Sequence, residues 1–510
     1  MYTHRIFTLV LAACVGLAIT RSRAYADGDL HNVKHIIVVM QENHSFDNYL
    51  GTLPYVSGTP YHEGPCKAND HSCVDGLNCS VEGSGNITCT NSNLDDDGST
   101  VSSFHEGKYC TGPDLDHSWM GSHLEGNYTF PNLMRQSSPN DGFVRQNDAT
   151  EQLDGGVESA TEDDTMGFYT QTDLPFYYAL AENFAIDDSY HCSVVGPTFP
   201  NRAYALAATS FGHVTTAEIF PPAGGYKPIT GTIFDLLDGS NVPWVNVFSD
   251  LPTSAIFRNP PTNVLPVSFF MTLLANNALP PVSFVDPSFF PDQTINGGTF
   301  ETDEHPPNDV RAGEYFVSQI VQAVRNSSAW KDSIIFITYD EHGGFYDHVA
   351  PPRAQQGGFS TPDGIDPGLC ADLSNPPMSL MPGFGAQCAV SNAEAQALCP
   401  LFSGAPPYPG FCANFNQLGF RVPFIAVSPF SKPHYVSHTV GDHTSILALI
   451  EKRFLGLDGD ARKHLTKRDL HAATLEDMFD FDHSPSLSAT IPTAPLPGSS
   501  DSGCTFVPAS

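Results

Sequence analysis

The sequence predicts an α/β sandwich, on three observations: short β-branched and apolar runs without polar alternation, helical repeats between them, and acidic clusters directly after two of the runs. His35-Ile-Ile-Val-Val-Met40 and Ser333-Ile-Ile-Phe-Ile-Thr338 read as strands buried on both faces of a parallel sheet. Phe424-Ile-Ala-Val427, introduced by Pro423, is a third. Residues 310–324 place Phe316, Ile320 and Val324 at helical spacing after a cap at Asn308 or Asp309. A further helix is expected over 445–455, from a cap at Thr444 to a stop at Gly456.

The two ends read differently from this core. Residues 1–26 have the form of a secretory signal, with Arg5 as the positive start, an apolar run over 6–20 and a small-residue cleavage site at Ala24-Tyr25-Ala26. The run is shorter than the roughly 20 residues of a spanning helix. The expectation is therefore a mature chain from about Asp27, secreted to an extracellular or periplasmic space and without a stable membrane anchor. One catalytic domain is expected over 27–483, with Gly-, Pro- and Cys-rich insertions at about 56–112 and 353–412 that wall a cleft. The Ser- and Pro-rich tail, 484–510, reads as irregular.

A formal charge of -33 argues against nucleic-acid partners and against electrostatic docking on anionic membranes, both of which use basic patches. An anionic substrate would need a local attractor such as a bound cation. Twelve cysteines include Cys14 in the leader, and the rest fall mainly in the two insertions without any CxxC pair. Disulfides fit an exported chain better than zinc does. Pairing is expected within each cluster, with at most one long link to Cys504, leaving Cys192 as a buried thiol.

The chemistry is indicated by position. Ligand sites in open parallel sheets lie beyond the carboxyl ends of the strands. Glu42-Asn43 follows the first buried strand and Asp340-Glu341 the second, so the two clusters can converge. Three carboxylates and an amide oxygen would repel one another unless a cation sat among them. Between them in sequence, Gly196-Pro197-Thr198-Phe-Pro-Asn201-Arg202 forms a tight turn before a helix over 201–209. A hydroxyl there faces the positive end of the helix, as a nucleophile or simply as an N-cap.

Four motifs carry a family resemblance: Glu42-Asn-His-Ser-Phe-Asp47 with Gly51, Thr198-Phe-Pro-Asn-Arg202, Tyr339-Asp-Glu-His-Gly-Gly-Phe-Tyr-Asp-His348 and Asp442-His-Thr-Ser445. In this order, over about 33–456, they resemble the phosphoesterase family of non-specific phospholipases C and bacterial acid phosphatases, which is similar in fold to the alkaline phosphatase superfamily. The resemblance implies a three-layer α/β/α sandwich and a secreted hydrolase of phosphoric esters. It implies Glu42, Asn43, Asp340 and Glu341 as ligands of one divalent ion of unspecified identity, and Thr198 as a nucleophile that becomes phosphothreonine. His305 is assigned as general acid, His117 as a phosphate ligand, and Arg202, Asn201 and His342 as substrate contacts. The substrate is expected to be a phospholipid or a small phosphoester. Phospholipase C chemistry leads, with acid phosphatase as the alternative and an inactive secreted binding protein as the reading of another class.

Two patterns are set aside or left open. Asn93-Leu-Asp-Asp-Asp-Gly98 opens like a calcium loop but has Phe104 where a bidentate glutamate is needed. Asn78, Asn86, Asn127 and Asn326 stand in glycosylation sequons, as does Asn43, which as a metal ligand would carry no glycan.

Overall fold

The structure is a computed structural model that describes residues 30–83, 85–95, 98–110, 114–127, 140–153, 162–210, 216, 230–257, 261–354, 415, 417–456 and 464–498. The expected leader, most of the expected second insertion and the end of the tail, with Cys370, Cys388, Cys399, Cys412 and Cys504, lie outside the described residues.

Eight strands form the central sheet: β1 (His35–Gln41), β2 (Ala185–Asp187), β3 (Trp244–Phe248), β4 (Val264–Pro266), β5 (Val282–Asp286), β6 (Ser333–Tyr339), β7 (Phe424–Val427) and β8 (Tyr435–Ser437). Their spatial order is β4-β3-β5-β1-β6-β7-β2-β8. The expected strands over 35–40, 333–338 and 424–427 are present, but β7 runs antiparallel to both of its neighbours, and the sheet is mixed. Composition could not show this, since an antiparallel strand buried on both faces has the same apolar content as a parallel one.

Six helices matter for the site: α1 (Phe46–Leu50), α2 (Trp119–Glu125), α3 (Pro175–Asn183), α4 (Thr198–Ala207), α5 (Val310–Arg325) and α6 (His443–Ile450). The first pair of packed helices is α4 with α6, the second α3 with α5, and these cover a sheet whose central strands are buried on both faces. This is the three-layer α/β/α arrangement. Among the described residues no helix is long and apolar enough to cross a membrane.

Helix starts are set by side-chain caps. Asp309 caps α5, its carboxylate accepting from Arg311 N. The α6 cap is Asp442 rather than Thr444: its carboxylate accepts from Thr444 N while Ser445 Oγ accepts from Asp442 N. That helix widens over Glu451–Leu455 and stops at left-handed Gly456, φ 65°. The first insertion contains two hairpins, Cys79–Val81 with Ile87–Cys89 and Ser92–Leu94 with Thr100–Ser102. Disulfides join Cys66 to Cys73 and Cys79 to Cys89, Cys110 is also oxidised, and Cys192 is free and buried as expected. Asn93 accepts from Phe143 N and donates to Asn140 O, while Asp96 and Asp97 of the calcium-like pattern lie outside the described residues.

Candidate active site

Gln41 lies opposite Tyr339 in the β1–β6 pairing, so the chain leaves the sheet at Glu42-Asn43 and at Asp340-Glu341 side by side. The two exits are tied together. Asp340 Oδ1 accepts from Glu341 N at 2.8 Å and from Asn43 N at 3.3 Å. Asn43 takes a left-handed φ of 63°, which asparagine tolerates better than most residues. Gly343 packs so closely on it that a Cβ there would sit 2.1 Å from the Asn43 carbonyl oxygen, and the Gly343 amide donates to Glu341 Oε2 at 2.8 Å.

This crowding leaves polar atoms without partners. Asn43 is fully buried, and neither its amide oxygen nor its nitrogen makes a hydrogen bond. Glu341 Oε1 makes none either, and His117 Nε2 stands 3.9 Å away. Buried orphans of this kind are rare and costly. Two oxygens among four oxygen-bearing side chains suit a hard divalent cation, which would satisfy them. On that chemistry Asn43 and Glu341 fit a cation, while Glu42 Oε1 and Asp340 Oδ2 are paired with Arg202 in this structure.

Helix α4 docks the remaining motif onto these carboxylates. Its N-cap is Pro197, so Thr198 occupies the first helical position and is not the cap. One turn later Arg202, 2% exposed, donates from Nε to Asp340 Oδ2 at 2.9 Å and places Nη2 3.1 Å from Glu42 Oε1. Its Nη1 donates to Thr253 Oγ1 at 3.1 Å, and Thr253 is held in turn by Asp286 at the end of β5. Asn201 shapes the turn, accepting from Val194 N at 3.0 Å and donating to Gly196 O at 2.8 Å. His342 Nε2 pairs with Glu125 Oε2 of α2 at 2.7 Å, and its Nδ1 is 3.3 Å from Glu341 Oε2. Burial opposes protonation of His342, but Glu125 and Glu341 carry its pKa up to about 9. Arg202, Asn201 and His342 Nε2 are thus engaged by protein groups in this structure, while His342 Nδ1 makes no hydrogen bond.

The partly open face belongs to two histidines. The His117 and His305 rings meet edge to face at 5.7 Å, and they are 15% and 26% exposed. Each Nδ1 lies against a main-chain carbonyl, Leu115 O at 2.8 Å and Pro306 O at 2.6 Å, an arrangement that puts the proton there and leaves Nε2 for other work. Asp114 joins them, its ligand atom within 4.8 Å of theirs, and the three are one of four groups among the described residues able to hold a metal. Burial would lower the His117 pKa, yet Glu341 and Asp114 raise it to about 10, an attraction that a cation on Glu341 would weaken.

Residues 33–456 match the model of the Phosphoesterase family. The chain belongs to the Phosphoesterase family. Phospholipase C B of Mycobacterium tuberculosis is 29% identical over 493 residues, 90% of this chain and 80% of that one. Phospholipase C A of the same organism is 30% identical over 84% of this chain and 74% of its own length. Non-specific phospholipase C6 of Arabidopsis thaliana is 29% identical over 88% and 72%. Murine ectonucleotide pyrophosphatase / phosphodiesterase 5 overlaps 60% of this chain and 95% of its own at 10% identity and a TM-score of 0.33. This phosphoesterase is a hydrolase acting on phosphoric esters.

Several residues of the phosphoesterase site gave no sequence signal. Thr253, Asp286 and Glu125 are single polar residues far from any motif, and only tertiary packing makes them partners of Arg202 and His342. Phe289, whose ring lies 5.0 Å from the Arg202 guanidinium carbon, is equally silent. Asp114 had a signal in its spacing, three residues before His117.

Proposed function

We propose that this phosphoesterase is a secreted, metal-dependent phospholipase C that cleaves phospholipid phosphodiesters through phosphothreonine at Thr198. The observation that carries the reading is the junction of α4 with the acidic clusters. Arg202 fixes the helix to Asp340 and Glu42, and Thr198 stands one turn earlier with no capping task. The names of the relatives support phospholipase C as the activity.

Glu42, Asn43, Asp340 and Glu341 would hold one divalent cation, whose charge stabilises phosphoryl oxygens and favours the ionised hydroxyl. Thr198 Oγ1 attacks phosphorus and releases its proton to solvent, forming a Thr–O–P bond as the bond to the glycerol oxygen breaks. His305, in the form that carries a proton on both ring nitrogens, gives the Nε2 proton to that departing oxygen and becomes neutral. Neutral His305 then takes a proton from water as the water attacks phosphorus, and the Thr–O–P bond breaks, the Thr198 oxygen regaining from solvent the proton it had released. The positive end of α4 favours the anion throughout, and His117 contacts a phosphoryl oxygen from the open face.

The test uses purified mature protein on phosphatidylcholine and on p-nitrophenyl phosphate, each with and without a chelator. Chelator-sensitive release of diacylglycerol and phosphocholine is expected. Hydrolysis of the monoester alone would make the protein a phosphomonoesterase, and turnover of neither would make it a binding protein.

A further inference from the structure

We infer that Glu304 is a positioning residue, a buried carboxyl hub that sets the geometry of the metal-ligand turns and of the His305 loop. The inference rests on the proposed reading of the site.

Glu304 is 1% exposed, and its carboxylate receives four donors. Oε1 accepts from Tyr177 Oη at 2.5 Å and Gln41 Nε2 at 3.2 Å, and Oε2 from Tyr49 Oη and Tyr339 Oη at 2.6 Å each. Two of the four are the last residues of their strands. Gln41 immediately precedes Glu42-Asn43, and Tyr339 immediately precedes Asp340-Glu341. One carboxylate therefore holds both strand ends from which the acidic clusters emerge.

The main chain around Glu304 extends the same hold. Thr302 O accepts from Gln41 Nε2 at 2.8 Å, Asp303 O from Glu42 N at 2.8 Å, and Glu304 O lies 2.9 Å from His44 Nε2. Glu304 itself adopts a left-handed φ of 75°, a strained conformation for a glutamate that persists only where surrounding contacts over-determine it. Space for the side chain comes from Gly313 of α5, where a Cβ would lie 2.1 Å from Glu304 Cγ. The next residue along the chain is His305. Apolar residues would fill such a core at lower desolvation cost than a carboxylate does. What a carboxyl group with four directed donors adds is a fixed orientation of the groups that donate, here the strand ends of the site.

The test compares Glu304→Gln with Glu314→Gln. Glu314 is a second fully buried carboxylate, which accepts from Phe176 N and Tyr177 N at the start of α3 and touches neither strand end. Each variant is measured for thermal stability, for kcat and KM on phosphatidylcholine, and for Mn2+ affinity of the metal-free protein by calorimetry. Loss of groups that orient metal ligands usually weakens affinity or activity about 10- to 100-fold. Glu304→Gln should lose that much in both kcat and Mn2+ affinity, while Glu314→Gln lowers the melting temperature and keeps both within about twofold. Both values near wild type in Glu304→Gln would overturn the inference, as would equal losses in the two variants. If Glu304→Gln does not fold, Tyr339→Phe and Tyr49→Phe replace it. The first should then impair kcat more than the second, and no difference between them would overturn the hub. Wild-type protein that neither binds Mn2+ nor turns over a phosphoester would instead defeat the reading of the site itself.

Discussion

Replacing Thr198 with alanine separates a nucleophile from a structural hydroxyl, because the structure removes the usual third explanation. A threonine that caps a helix costs about 0.5–2 kcal/mol when truncated. Thr198 is not the cap, so that cost does not arise, and the substitution deletes one methyl and one hydroxyl from a residue 7% exposed. At about 0.8 kcal/mol per buried methylene, the loss of stability should stay under about 1 kcal/mol. Activity should behave differently. Removing a covalent nucleophile lowers kcat by roughly 10^4-fold or more, which at 1.36 kcal/mol per decade is about 5 kcal/mol of transition-state stabilisation. The assay is kcat on a labelled phosphodiester, with urea melts and Mn2+ binding to show that the variant is folded and fills its metal site. Thr198→Ser should keep measurable turnover, and acid quenching of the wild type should leave label on the peptide containing Thr198. A folded, metal-binding Thr198→Ala enzyme with kcat within tenfold of wild type would refute the nucleophile and pass the attack to water.

Asn43→Gly suits the left-handed backbone and removes two unpartnered buried atoms, so the metal-free protein should be at least as stable as wild type while Mn2+ affinity falls; calorimetry and thermal melts check both. Arg202→Met leaves Asp340 and Glu42 without their buried cation and should cost about 3–5 kcal/mol in urea unfolding of the metal-free protein; a change below 1 kcal/mol would show that the pair is not structural. His348 bears on pH. Burial alone would lower its pKa, but Asp47 at 2.6 Å and Asp75 at 3.3 Å raise it to about 10. A histidine raised above its unfolded value of about 6.5 contributes fully below that pH and progressively less as pH climbs toward 10. His348→Gln should therefore lower the melting temperature more at pH 6 than at pH 10, and an equal loss at both would show that the charge is not what stabilises.

By itself the sequence determined the elements whose signal is local. Strands buried on both faces read directly as unbroken β-branched runs, and β1, β6 and β7 lie where those runs are. The acidic clusters were legible because they follow two such runs at once, and Cys192 because it stands outside both cysteine-rich segments. Thr198 was legible as a turn residue but not as a non-cap, since Pro197 takes the cap position only in the folded geometry. Tertiary structure alone decided the direction of β7, because strand polarity leaves no trace in composition. It also decided the task of Arg202, which sequence assigns equally well to a phosphate or to carboxylates, and which packing commits to Asp340 and Glu42. Glu304 shows the limit most clearly. It sits beside His305 in the sequence as an ordinary acidic residue, and it becomes a hub only because Gln41, Tyr49, Tyr177 and Tyr339, spread over some 300 residues of chain, bring their donors to one point. Local pattern encodes which face a residue turns toward the core; which partner it meets there depends on contacts between distant segments that no local pattern records.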